Sequence, residues 1–357
     1  MTVASGSPAR QIGAFKAYLP VWIFLSIVGG LAVGSVAPWV FSWLRAFEIG
    51  SVNLAIAGLV WLMIFPTMVK VDFSQLGRAA GWGKGLTLTL AINWLVKPFS
   101  MAALGTFFLA GLFSPWIAPE DAKGYLAGLI LIGAAPCTGM VLVWSRLAGG
   151  DATFTVVQVS INNLVLVLAF APLVAVLLGV ADVPIPWTTL SLATAVFVVL
   201  PLAAGLGVRR RLLASGGDAA VQRFASSAAP FTSYGLLALV AVLFGLQAES
   251  VLSDPWAVAL IAIPVTLQAY LVFALAYGWA WAWKLPSEVA APAALIGTSN
   301  FFELAIAVAI GLFGIRSAAA LATVVGVLVE VPVMLTLVRV ALSLRGRIDA
   351  RAAAVGA

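Results

Sequence analysis

Ten long apolar runs leave this chain almost no way to fold in water. They fall near residues 18–40, 51–69, 86–113, 125–145, 153–179, 188–208, 229–247, 256–283, 289–314 and 318–342, bounded by charge or by Pro and Gly clusters. A hydrocarbon core about 30 Å thick takes about 20 apolar residues per helix, whereas a membrane strand needs only about 9–11 alternating ones. Runs of this length read as helices. Composition agrees: 9% of the residues are charged, against roughly 25% in soluble domains. The 13 Trp, many near run ends, fit the aromatic belts of membrane interfaces. The expected fold is all-α and polytopic, with ten transmembrane helices in a lipid bilayer.

Arg10 and Lys16 precede the first run as in a signal peptide, but that run exceeds the roughly 7–15 apolar residues such a signal carries. Its one tempting cleavage site, Ser35-Val36-Ala37, is blocked by Pro38, so the first helix is expected to stay uncleaved. Orientation follows from the loop cations. With an even number of spans and the N-terminus inside, Arg10, Lys16, Lys70, Arg78, Lys84, Arg146, Arg209, Arg210, Arg211, Arg223, Lys284, Arg339, Arg345, Arg347 and Arg351 are cytoplasmic. Only Arg45, Lys123 and Arg316 fall outside. Both termini are expected in the cytoplasm of a plasma (inner) membrane protein. Residues 1–180 and 181–357 are expected to form two halves of five spans within one transmembrane domain. An odd number per half makes any repeat inverted.

Several function classes drop out. There is no histidine, which removes HExxH zinc motifs, Ser-His-Asp triads and the commonest proton shuttle. There is no paired-aspartate motif either, so neither an intramembrane enzyme nor a cofactor is expected. The single cysteine, Cys137, excludes an intrachain disulfide. The net charge of +6 is scattered among loops, so no nucleic-acid partner is expected.

Charge inside the hydrocarbon is rare and points to function. Only Glu303 in span nine, Glu330 in span ten and Lys97 in span three lie deep. Span four carries Pro136-Cys137-Thr138-Gly139, whose proline removes a backbone hydrogen bond and would free the carbonyl of Ile132. Span nine carries Gly297-Thr298-Ser299-Asn300, four poor helix formers at mid-span. Breaks are expected at Pro136 and at Gly297, in the fourth span of each half. Irregular backbone at this depth is tolerated only where protein buries it or it lines a cavity. Interrupted spans at matching positions point to a transporter binding site, and Asn163 and Glu330 match at a similar offset.

Each residue also has a plainer structural role open to it. Cys137 could be a small buried apolar residue, and Asn162 and Asn163 interhelical hydrogen-bond formers. Asn300-x-x-Glu303 has capping-box spacing. Glu330 could satisfy groups freed by Pro332, and Lys97 could snorkel outward as readily as face a cavity.

The run Ala135-Pro136-Cys137-Thr138-Gly139-Met140-Val141-Leu142-Val143-Trp144-Ser145, with Gly149-Gly150-Asp151, resembles the signature of the arsenical-resistance arsenite permeases. These belong to the bile acid/arsenite/riboflavin transporter superfamily. Asn300-Phe301-Phe302-Glu303-Leu304-Ala305-Ile306-Ala307-Val308-Ala309 resembles the same family's span-nine motif, and Val329-Glu330-Val331-Pro332-Val333-Met334 and Asn93-Trp94 extend the match. Pro136 departs from members that carry arginine there, so no role of that arginine is carried over. The resemblance implies two inverted five-helix repeats, with broken helices four and nine crossing in a core domain beside a panel domain. It also implies that Cys137 and Glu303 are the family's cysteine and glutamate required for transport.

The implied activity is export of arsenite and antimonite by alternating access, in exchange for protons. Cys137, Thr138, Ser299 and Asn300 would bind substrate. Glu303 would carry the proton, with Glu330, Asn163 and Lys97 as further coupling candidates. Trivalent arsenic is soft and prefers thiolate, and one thiol holds it loosely where three would trap it. The competing expectation is sodium-coupled uptake of an organic anion on the same fold, with Asn162, Asn163, Ser299, Asn300 and Glu303 as oxygen ligands. Reporter fusions at Ala357 and in the 249–254 loop test the topology. They should report opposite compartments, and identical readouts would defeat the ten-span arrangement.

Overall fold

The structure, a computed structural model, describes residues 18–42, 44, 47–49, 52–71, 81–183 and 187–354. Arg10, Lys16, Arg45, Arg78 and Ala357, used above for orientation, lie outside them. The described chain is almost entirely helical. The exception to the all-α expectation is a short antiparallel pairing of β1 (Glu48–Ile49) with β2 (Val52–Asn53).

The helices are α1 (Leu19–Val36), α2 (Leu54–Val69), α3 (Gly83–Leu112), α4 (Pro119–Ala134), α5 (Val141–Leu147) and α6 (Ala152–Val180). A helical stretch from Trp187 to Leu246 follows, broken at Gly216 and Gly217 (φ 61°) into α7 (187–215) and α8 (218–246). After the six-residue helix Ala248–Ser253 come α9 (Pro255–Ala282), α10 (Ser287–Thr298), α11 (Phe302–Phe313) and α12 (Ala318–Ala353). The polar segment 209–223, expected as a connection, is thus helical apart from the two glycines, one of which has the positive φ that glycine adopts without strain.

Local sequence sets the helix starts. Asn53 accepts from the amides of Ala55 and Ile56 at the head of α2, Asp151 from Phe154 at α6, Asp254 from Ala257 at α9 and Ser317 from Ala320 at α12. Pro119 opens α4 with Glu120 and Asp121 in its first turn, where acidic side chains favour the helix dipole.

Five helical stretches among the described residues are long and apolar enough to cross a bilayer. Phe24, Leu168, Val176 and Leu275 stand exposed along helix flanks, Leu168 by 71%. Such apolar surface suits lipid rather than water, and the protein is a multi-pass membrane protein.

The helices sort into two layers. α1 and α2 pack on the stretch formed by α7 and α8, while α3, α4, α9, α10, α11 and α12 pack mainly on one another. Small residues set the closest approaches inside each layer. A Cβ on Gly30 would lie 2.3 Å from the carbonyl oxygen of Ala241, and one on Gly34 the same distance from that of Gly245. In the other layer a Cβ on Gly128 of α4 would lie 2.4 Å from the carbonyl oxygen of Ala319 in α12. This is the small-residue packing of membrane helices, where dispersion rather than water drives association. Gly128→Leu should therefore lower stability by about 1–3 kcal/mol, the usual cost of overpacking. Gly58→Leu, at an exposed glycine with nothing within 4 Å of its would-be Cβ, should be close to neutral in the same thermal melt.

Candidate functional site: the crossing of two interrupted helices

Two helical runs stop in mid-course. α4 ends at Ala134 and Ala135 is extended (φ −109°, ψ 108°), with α5 resuming at Val141. α10 ends at Thr298 and Ser299 is extended (φ −70°, ψ 147°), with α11 resuming at Phe302. The extended pieces meet. Pro136 and Asn300 face each other as an antiparallel bridge, the Cys137 amide donates to the Ser299 carbonyl at 3.3 Å, and the Phe301 amide donates to the Ala135 carbonyl at 2.9 Å. Each break supplies backbone partners to the other, as it must where there is no water.

Three local expectations need correcting. The helix stops before Pro136, so the Ile132 carbonyl is not freed; it accepts from the Ala135 amide at 3.3 Å. Gly297 is still helical, and the break starts at Ser299. Glycine serves there because a Cβ would stand 2.5 Å from Cγ2 of Ile92 on α3. The capping box also does not form. The N-cap of α11 is Phe301, and no side chain caps it.

Ser299 ties the crossing to two buried charges. Its hydroxyl donates to Oε1 of Glu330 at 2.6 Å, and the Asn300 amide donates to the same oxygen at 3.0 Å. Glu330 thus serves the break between α10 and α11 rather than the groups around Pro332. From the other side, Nζ of Lys97 donates to the Ser299 carbonyl at 2.6 Å. Lys97 does not snorkel outward; it is 0% exposed.

Its position follows from α3. The segment Ile92–Val96 is a π-turn in which the Lys97 amide donates to the Ile92 carbonyl. Pro98, which has no amide and crowds the preceding turn, follows directly. Cys137, Lys97, Glu303 and Glu330 lie close enough to act on one another electrostatically, and the Cys137 thiol is within hydrogen-bonding reach of the Ser299 hydroxyl.

Thr138 and Glu303 line a cavity of about 80 Å³ with Thr67 and Met63 of α2 and Thr232 and Ser233 of α8. The cavity therefore lies between the two layers. Thr67 and Thr138 also border a narrower space of about 10 Å³ that reaches Lys70 and Leu142. Lys70, Leu142 and Val156 in turn border a larger, half-polar cavity of about 600 Å³ that includes Arg146, Arg209 and Asp218. One Glu303 carboxylate oxygen and the side-chain oxygen of Asn300 have no hydrogen-bond partner. Asn163 is buried in α6 with neither side-chain atom partnered, and among the described hydrogen bonds none links it to the crossing.

Gln268 was not anticipated. It is buried in α9 and donates from Nε2 to the Lys97 carbonyl at 3.4 Å. Its signal was available, as a lone amide in the apolar run 256–283. The cavity residues of α2 and α8 carry no such signal. Ser299→Ala removes a hydrogen bond to a buried charge and should lower stability by about 1.5–3 kcal/mol in a thermal melt of the purified protein, with Ser299→Thr retaining most of it.

Comparison with known proteins gives the chain's family. The sodium bile acid symporter family matches residues 56–254. The chain is 49% identical over 332 residues to the arsenical-resistance protein Acr3 of Alkaliphilus metalliredigens, covering 93% of each chain. It is 41% identical over 339 residues to an uncharacterized transporter of Synechocystis, covering 92% of this chain and 88% of that one. To the arsenical-resistance protein Acr3 of Corynebacterium glutamicum it is 34% identical over 347 residues, 94% of this chain and 91% of that one. This multi-pass membrane protein is a transporter and not an enzyme, and it belongs to the sodium bile acid symporter family and, within it, to the arsenical-resistance Acr3 proteins.

Proposed function

We propose that the protein exports arsenite, and its heavier congener antimonite, from the cytoplasm in exchange for protons by alternating access. The observation that carries this is the place of Cys137, the chain's one thiol. It sits in the crossing of the two interrupted helices, next in sequence to Thr138, which lines a cavity together with Glu303. A single soft ligand beside oxygen donors suits a metalloid that must be bound and let go. The Acr3 relatives, named for arsenical resistance, support the same substrate. Thr138, Ser299 and Asn300 complete the binding site. Glu303 carries the coupling proton, and its unpartnered oxygen is available to receive one. Glu330, Lys97 and Asn163 support the coupling.

In this reading the spans are α1, α2, α3, α4 with α5, α6, α7, α8, α9, α10 with α11, and α12. They form two inverted halves, residues 1–180 and 181–357, with both termini cytoplasmic in the plasma membrane. The large basic cavity then faces the cytoplasm. The cavity between the layers is where relative movement of the layers would expose the site to one side and then the other.

The test is arsenite accumulation in everted vesicles, with the proton gradient and the membrane potential collapsed separately. Collapsing the proton gradient should stop accumulation, and accumulation driven by potential alone would overturn proton exchange. Cys137→Ser should slow transport by at least about tenfold at normal protein abundance, the equivalent of ~1.4 kcal/mol. Full transport in that variant would make the thiol a packing residue. Glu303→Gln should bind arsenite in detergent yet lose its response to the proton gradient.

A second reading is sodium-coupled uptake of an organic anion. The unpartnered buried oxygens of Asn163, Asn300 and Glu303 favour it, since they would serve a hard cation. Labelled anion uptake that requires sodium would establish it in place of export.

A further inference from the structure

Two groups with negative character meet the backbone of Ser299 and Asn300 at the crossing. The Ser299 carbonyl stands at the C-terminal end of α10, where the helix dipole is negative, and the Glu330 carboxylate is hydrogen-bonded to the Ser299 hydroxyl and the Asn300 amide. In transporters with interrupted helices, such exposed carbonyls and helix ends coordinate a free cation. A buried negative cluster of this kind is costly unless a positive charge answers it.

Here the positive charge is covalent. Nζ of Lys97 donates to the Ser299 carbonyl at 2.6 Å and interacts electrostatically with Glu330. The side chain belongs to α3, which lies 202 positions away in sequence from the carbonyl it meets. It is held there by the π-turn before Pro98, and Gln268 holds its own carbonyl. An ammonium has three donors and no acceptor, and one of the three is taken by the Ser299 carbonyl.

We propose that the Lys97 ammonium is a built-in cation of the crossing, occupying the place where an interrupted-helix site would otherwise take a free monovalent cation. The lysine is then a specificity-determining residue. It makes the crossing independent of sodium and leaves the exchangeable charge to the carboxylates. The functional consequence rests on the crossing being the transport site; the cation assignment itself rests only on the geometry.

The experiment is a thermal melt of the purified full-length protein in NaCl, KCl and choline chloride at equal ionic strength, without arsenite. The unaltered protein should melt at one temperature in all three salts. Lys97→Gln replaces the ammonium with an amide oxygen and vacates the cation place. It should melt lower in choline chloride by roughly 5 °C or more, and Na⁺ should recover much of that loss. Lys97→Met, which supplies no oxygen, should lose as much with little recovery.

Selective stabilisation of the unaltered protein by Na⁺ would overturn the proposal, because a free cation site would then already exist. Equal melting of Lys97→Gln in the three salts would overturn it as well. If neither variant can be purified, the unaltered protein's salt series decides alone. No arsenite enters the measurement, so its failure is distinct from a failure of the export reading.

Discussion

Water is absent from a bilayer's interior, and a peptide group left without a partner there costs several kcal/mol. A helix that breaks at this depth has to find hydrogen bonds elsewhere. Here two breaks find them in each other, through the short antiparallel contact between Pro136 and Asn300. The rest of the site is arranged around what that contact leaves over. The Glu330 carboxylate takes the Asn300 amide, the Ser299 hydroxyl is drawn to the same carboxylate, and the Lys97 ammonium takes the remaining lone pair of the Ser299 carbonyl. Cys137 is held in place by its own backbone amide, which donates to the Ser299 carbonyl.

The two layers differ from their shared interface in how closely they pack. The near-contacts at Gly30, Gly34, Gly205 and Gly235 tie α1, α2, α7 and α8 together, and those at Gly105, Gly124, Gly128, Gly133 and Gly297 tie the other layer. Across the interface Gly139 meets Thr67 only at ordinary van der Waals distance, 4.0 Å for a would-be Cβ. Close approach of helices within each layer thus contrasts with looser side-chain contact across the cavity between them. Glu303 and Thr138 belong to one layer, and Thr67, Thr232 and Ser233 to the other.

Much of this was legible in the sequence, because the bilayer imposes a length and a polarity on every span. The apolar runs, the three deep charges and the two interrupted spans could be read from residue type alone. What could not be read was which deep groups pair with which. Lys97 and Ser299, or Ser299 and Glu330, meet through the packing of helices distant in sequence, and no local pattern encodes that meeting. The π-turn at Ile92–Val96, which turns Lys97 inward, shows only as an unremarkable Lys-Pro pair. Gly297 was misread for a related reason. A glycine needed for backbone flexibility and one needed for close packing look the same until the neighbouring helix is present.

The narrow space between Thr67 and Thr138 on one side and Lys70 and Leu142 on the other measures about 10 Å³. That is about the least a cavity needs to hold one water molecule. A continuous file of waters from the basic vestibule to Glu303 would act as a proton wire, dissipating the gradient of an energised membrane without moving any cargo. Under the proposed exchange, a neck this tight would keep the carboxylate apart from the vestibule's solvent until the walls separate.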